Sequence, residues 1–511
     1  MTKVKTLVNF TREKLVAFKQ DTLLNKCDII SLALLWLFFV DCSFSGGGKY
    51  LAIGPITFRM IAGIAAFLFA IPKLIVNMKK HIKNPIFYMF FAFLIWLVIS
   101  ACIGIKAENN MNVLITDIKG FMWLFVVVAL IVTVDTKKRF GYILNAIVIG
   151  AFIQAGIVLV VHFGCCLIKD GIKYFYNPML DLQIGIVNIV SNSVFRIFMR
   201  SGPYMILACG IAFFKQMQQE KIKIKYILTM MLFLFCCLLS FTRSLFGCAF
   251  IVLACCIIAT IFFYKEKIKL MLKTVAFLAI AVLVCTGVME FIFDASYLSF
   301  AISRTFGTPV KQSIIVAAKY EIKNFKWEDL FESNPSTDNT VSAGSSHSSS
   351  TDNNGASSTE SSAPQDKEED KVKDDYKIQQ NYIDETKNSD TLRLVTKQEL
   401  KALVAKSPII GNGLGACSQT RNGPDEYFYY DMLARMGIIG LLLYVAPFIY
   451  VCFYVLRKRA LLPHNMSSVA LLCGMVGFWG VTWFNPWMNA VLGIAVYALT
   501  CSIFEVFTKE N

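Results

Sequence analysis

Apolar runs of about twenty residues recur along this chain, the length needed to cross the hydrocarbon core of a bilayer as a helix. In lipid every backbone N–H and C=O must be satisfied inside the chain itself, so uninterrupted runs of this length fold as helices. The runs fall near 29–44, 56–76, 86–105, 121–134 and 142–166, then 203–214, 226–241, 245–264 and 270–293, and finally 432–456, 468–484 and 488–507. An all-α polytopic membrane protein of about twelve transmembrane helices is expected. Hydrophobic residues make up 56% of the 511 and charged ones only 17%, which excludes a soluble domain.

The formal net charge of +15 would suggest a nucleic-acid partner in a soluble protein. Here the cations sit in short loops: Lys79, Lys80 and Lys83; Lys137, Lys138 and Arg139; Lys221, Lys223 and Lys225; Lys265, Lys267 and Lys269; Arg457, Lys458 and Arg459. Every second loop is basic, in phase with a basic N-terminus, so the charge reads as topology and no nucleic acid is expected. Both termini are then cytoplasmic. Residues 1–28 read as a basic amphipathic helix on the anionic leaflet, with no cleavable signal, and 29–293 as the first nine spans. Two polar segments then lie outside, 169–200 and 294–431, before the last three spans in 432–511. Within the second, 334–375 is Ser, Thr, Asn, Asp and Glu with almost no apolar residues, a composition expected to be disordered.

The sixteen cysteines lie almost all inside apolar runs and show no CxxC or Cys/His ligand spacing, so neither a metal nor a disulfide framework is expected. No phosphate loop or dinucleotide fingerprint appears, and no cofactor is expected. What stands out is arginine on the outer side, against the charge bias: Arg196 and Arg200 before the sixth span, Arg243 at the turn between the seventh and eighth, Arg393 and Arg421 in the long loop. Guanidinium groups suit phosphate oxygens, although each could instead snorkel to lipid headgroups. Gly202–Pro203 opens the sixth span, a helix start that favours a nearby anion or is simply a start. Residues 407–440, SPIIGNGLGACSQTRNGPDEYFYYDMLARMGIIG, place Gly411, Gly413 and Gly415 at alternate positions, where positive φ and close approach of a ligand, or a plain turn, are both open. Asp425 and Glu426 then read as a general base or as a helix cap. Tyr427, Tyr429 and Tyr430 read as sugar-stacking residues or as an interfacial aromatic belt.

In order along the chain, three stretches resemble the bacterial O-antigen ligase and Wzy-type polysaccharide polymerase family. FTRSLFGCAFIVL resembles its Ser-Arg element opening a transmembrane helix, and LRLVTKQELKALVAKSPIIGNGLGA its Arg, helix and Pro-xx-Gly-x-Gly loop. DEYFYYDMLARMGIIGLLLYV resembles the segment that ends in Gly-Ile-Ile-Gly. The resemblance covers residues 190 to 500; the N-terminal third matches only in hydropathy.

The resemblance implies a GT-C-like fold, with a large extracytoplasmic loop between spans nine and ten, in the bacterial cytoplasmic membrane. It implies a metal-independent glycosyltransferase whose donor is an oligosaccharide on undecaprenyl pyrophosphate, with flippase and chain-length regulator proteins as partners. Arg243 and Arg393, with Arg196 or Arg200, would bind the pyrophosphate; Arg421, Gly411, Gly413, Tyr427 and Tyr429 would line the donor and glycan, and Glu426 or Asp425 would take the acceptor's proton. The ligase branch often carries a His-Asn pair before its Gly-Ile-Ile-Gly; counting back from Gly437, the His position holds Glu426. A polymerase of lipid-linked repeat units is therefore the first expectation and a ligase the alternative. A transporter or flippase is a third reading, disfavoured because the spans are nearly charge-free and one outer loop dominates.

Overall fold

The computed structural model describes residues 2–47, 52–53, 56–169, 171–191, 194–293, 391–420, 427–483 and 487–508. The insertion 334–375 lies outside them. The described chain is mainly helical: α1 (Thr2–Phe44), α2 (Phe58–Val76), the single turn α3 (Met78–His81), α4 (Pro85–Lys106), α5 (Met111–Met122), α6 (Phe125–Thr133), α7 (Lys137–Leu167), α8 (Gly171–Asp181), α9 (Gly202–Met217), α10 (Ile224–Leu238), α11 (Arg243–Phe263) and α12 (Ile268–Phe293). After the long loop come α13 (391–406), α14 (Phe428–Arg457), α15 (Met466–Val481) and α16 (Val491–Thr508).

Each apolar run of the sequence coincides with a helix, and the run at 121–134 takes in the end of α5 and all of α6. Among the described residues eight helical stretches are long and apolar enough to cross a membrane; α10, α15 and residues 491–507 of α16 are shorter apolar helices. Side chains such as Phe91, Val160, Phe250 and Phe291 point outward and are more than 60% exposed. In water that surface would drive aggregation, so the protein is membrane-embedded. The basic N-terminal segment is helical from Thr2 and runs unbroken into the first span.

Helices cross closely where small residues face them, as expected without a hydrophobic drive between helices in lipid. A Cβ added at Gly477 or Gly474 of α15 would meet Val252 of α11 or Leu207 of α9, and one at Gly150 of α7 would meet Ser43 of α1. Buried tyrosine hydroxyls find carbonyls across the bundle: Tyr204 donates to Leu492 at 2.7 Å and Tyr497 to Tyr444 at 2.5 Å.

The two ends of the bundle are tied differently. At one end ion pairs join helix ends: Asp28 with Lys73 and Arg139, Asp135 with both of those cations, and Lys80 with Glu505. At the other, where α1 finishes, Arg59 is buried against Asp41 at 2.9 Å and donates to the Ser45 hydroxyl and the Gly46 carbonyl. Here also stands an element that the reading of 169–200 as a plain polar loop left out. Strands β3 (Gly185–Ser191) and β4 (Val194–Met199) form an antiparallel hairpin, in addition to the two-residue ladder of β1 (Ala52–Ile53) and β2 (Ile56–Thr57). The cause is local: GIVNIVS and VFRIFM are rich in β-branched and aromatic residues, which favour strands.

Candidate anion site at the start of α11

The hairpin positions the arginines. Its second strand runs beside the turn between α10 and α11, and the Ile197 N–H donates to the Leu239 carbonyl at 3.0 Å. One residue earlier, Arg196 donates from Nε to the Ser240 carbonyl at 3.2 Å and from Nη2 to the Thr242 hydroxyl at 3.5 Å. Its guanidinium also lies over the Phe198 ring. Thr242 is the N-cap residue of α11, and Arg243 is the helix's first residue. The Thr242 hydroxyl donates to the Ser240 carbonyl and makes no capping bond to the helix. The positive end of the α11 dipole is therefore not offset by a side-chain acceptor from its N-cap residue.

Arg393, at the start of α13, lies near enough for its charge to act on Arg196. Burial, and after it the charge of Arg393, hold the Arg196 guanidinium below its ordinary pKa. A half-buried guanidinium beside a helix N-terminus favours an anion nearby. The turn is also strained: Phe241 is fully buried with φ +43°, a region that costs a bulky L-residue about 1–3 kcal/mol.

The second predicted anion position is different. Ser201, Gly202 and Pro203 are buried, and the Gln154 amide of α7 accepts from the Gly202 N–H while donating to the Ser201 and Ser43 carbonyls. The start of α9 is satisfied from within. Arg200 stands at the foot of the hairpin, its N–H on the Ile184 carbonyl, with its side chain over Gly46.

The Gly-rich loop is built into the bundle. Gly411, Gly413 and Gly415 have φ of +77°, +87° and +82°, as their spacing suggests. The close approach they permit is to protein: a Cβ on Gly411 would strike the Arg435 carbonyl, and one on Gly413 the backbone of Gly104 in α4. The partner is a break in α14 at Gly437 (φ 66°, ψ −173°). There the Ala434, Arg435 and Met436 carbonyls leave the helical ladder and accept from the Asn412 N–H, the Gly413 N–H and the Trp96 indole. The N–H groups of Ile438 and Ile439 donate back to Pro408 and Ile409. Every group freed by the kink that this exchange touches finds a partner, as a buried backbone requires. Asn109 adds its amide to the carbonyls of Asn412 and Leu414.

Arg435 fastens this region. It is buried between two carboxylates, Asp117 of α5 on Nη1 and Asp431 on Nη2 at 2.8 Å, and donates from Nε to the Ala416 carbonyl at 2.9 Å. Asp117 in turn accepts from the Gly415 N–H at 3.0 Å. Sequence reasoning passed over Asp117 and Arg435; the signal was Arg435 inside the apolar run at 432–456, where a charge needs a partner, with Asp117 four residues before the run at 121–134.

Tyr427 packs edge-on to Tyr430 with Lys397 over both rings. Tyr429 lies against Trp479 and Trp483, and its hydroxyl donates to the Trp479 carbonyl at 2.9 Å. Arg421, Asp425 and Glu426 lie outside the described residues. The structure thus sets Arg196 at the start of α11, which opens with Arg243, with the charge of Arg393 acting on it; it builds Gly411 and Gly413 into the scaffold and seats Arg200 at the hairpin's base. Compared with known protein families, with curated proteins and with solved structures, the chain finds no match.

Proposed function

We propose that this protein is a bacterial polysaccharide polymerase that joins oligosaccharide repeat units carried on undecaprenyl pyrophosphate, at the extracytoplasmic face of the cytoplasmic membrane. In this reading the chain spans about twelve times in a GT-C-like arrangement, with both termini in the cytoplasm. The observation that carries it is Arg196, held beside Thr242 at the start of α11, which opens with Arg243, with the charge of Arg393 acting on it. The family resemblance read from the sequence implies the lipid pyrophosphate at that point.

The chemistry asks little else of the protein. An acceptor hydroxyl oxygen attacks the anomeric carbon, the bond from that carbon to the pyrophosphate oxygen breaks, and the bonding electrons leave on the pyrophosphate. Charge develops on that oxygen, where fixed donors in a partly dry site stabilise the transition state by about 3 kcal/mol each. The acceptor's proton passes to a carboxylate, for which Glu426 or Asp425 stands nearest in sequence. The Gly-rich loop and Arg435 hold α13, and so Arg393, against α14.

The test is product length in a membrane assay with lipid-linked repeat units. Arg196→Ala and Arg393→Ala proteins, expressed and folded as the parent, are expected to leave single repeats on the lipid. Long polymer at the parent's level from both would overturn the reading. Full-length polymer left on the carrier by a deletion strain would indicate a ligase instead.

A further inference from the structure

The sequence of α12 begins IKLMLKTVAFLAIAV. At helical spacing Lys269, Lys273, Phe277, Ile280 and Val284 share one stripe, cationic for its first turn and apolar afterwards. The apolar part is uncovered: Phe277, Ile280 and Val284 are each more than half exposed. Beside the start of this stripe, the turn after α9 is clamped by Lys267, whose Nζ donates to the Gln219 carbonyl at 3.1 Å. Between turn and helix lies a cavity with a volume of about 510 Å³, lined by Lys221, Lys267, Lys269 and Lys273 with Leu270 and Phe277. Glu220 and Glu266 also line it, leaving the lysines in excess. α11 carries the chain 21 residues away from Arg243, about 30 Å, so this cavity is at the opposite end of the bundle from the arginines.

We propose that this cavity binds the phosphodiester headgroup of an anionic phospholipid, with an acyl chain along the apolar stripe of α12. Ammonium groups on flexible stems suit a phosphate as point charges, and basic pockets at the ends of spanning helices recognise anionic headgroups in this way. The change from lysine to Phe277, Ile280 and Val284 along one face selects a lipid over a soluble anion, which has no use for an apolar track. The site is independent of the donor chemistry at the start of α11.

Native mass spectrometry of the full-length protein in detergent, offered phosphatidylglycerol and phosphatidylcholine in equal amounts, tests this. Phosphatidylglycerol is expected to be retained in preference. A Lys269→Gln/Lys273→Gln double variant is expected to retain about tenfold less of it, with phosphatidylcholine retention and melting temperature as in the parent. Equal retention of the two lipids by the parent protein overturns the proposal without any variant. So does unchanged phosphatidylglycerol retention by the double variant. Full displacement of phosphatidylglycerol by millimolar inorganic phosphate would assign the cavity to a soluble anion and also overturn it.

Discussion

Arg435 and Arg196 stand at the same end of the bundle and both are withdrawn from water, yet they are held in opposite ways. Arg435 lies between the carboxylates of Asp117 and Asp431 and donates to a loop carbonyl. Arg196 reaches a carbonyl and a hydroxyl and has a second guanidinium, Arg393, as its electrostatic neighbour. The charge of Arg435 is matched by opposite charges and belongs to the scaffold; Arg196 faces a helix start, where an anion is favoured. A buried arginine here can therefore be held in two ways, and its neighbours tell them apart.

That contrast can be broken by substitution. Arg435→Leu leaves two carboxylates buried without their cation, and the expected loss is about 3–5 kcal/mol. It would be read as a large drop in folded, detergent-stable protein; a variant that melts like the parent would remove Arg435 from the scaffold. Arg196→Ala is expected to do the reverse, melting within a few degrees of the parent while turnover falls about 100-fold, the effect of about 3 kcal/mol in transition-state stabilisation. Arg196→Lys sharpens the point, because an ammonium cannot span the Ser240 carbonyl and the Thr242 hydroxyl as a planar fork does, so only part of the activity should return.

Smaller effects follow from the loop. Gly413→Ala puts a side chain at φ +87° against the backbone of Gly104 and is expected to cost of order 1–3 kcal/mol in melting experiments. Full stability there would mean that α4 and the loop are not in contact. Tyr429→Phe removes one hydrogen bond, to the Trp479 carbonyl, and should cost about 1 kcal/mol with activity intact. A large loss of activity without loss of stability would return Tyr429 to the glycan site.

These two kinds of arginine also mark how far the residues could be read from the chain alone. The apolar runs place the helices well, because length and hydropathy are local properties. Gly411, Gly413 and Gly415 announce positive φ through their spacing, and all three adopt it. What they approach is set by residues hundreds of positions away in sequence, Gly104 of α4 among them, and no local pattern carries that. The kink at Gly437 was hidden inside GIIGLLLYV, which reads as uninterrupted helix; it exists because the loop supplies alternative partners for its carbonyls. The β3–β4 hairpin had a signal in its β-branched and aromatic residues, but they stand among apolar runs of much greater length. Arg196, Arg243 and Arg393 could be picked out one by one as cations on the wrong side. That Arg196 stands at the start of α11 within reach of the charge of Arg393 is a tertiary fact, and the hairpin lying along the α10–α11 turn sets Arg196 there.

Calorimetric titration of the full-length protein with a short-chain prenyl pyrophosphate and with the matching monophosphate tests this arrangement directly. The pyrophosphate is expected to bind more tightly than the monophosphate, with affinity falling as salt rises, and an Arg196→Ala/Arg393→Ala double variant that melts like the parent is expected to lose that preference. Equal binding of pyrophosphate by the parent and the folded double variant would contradict the account.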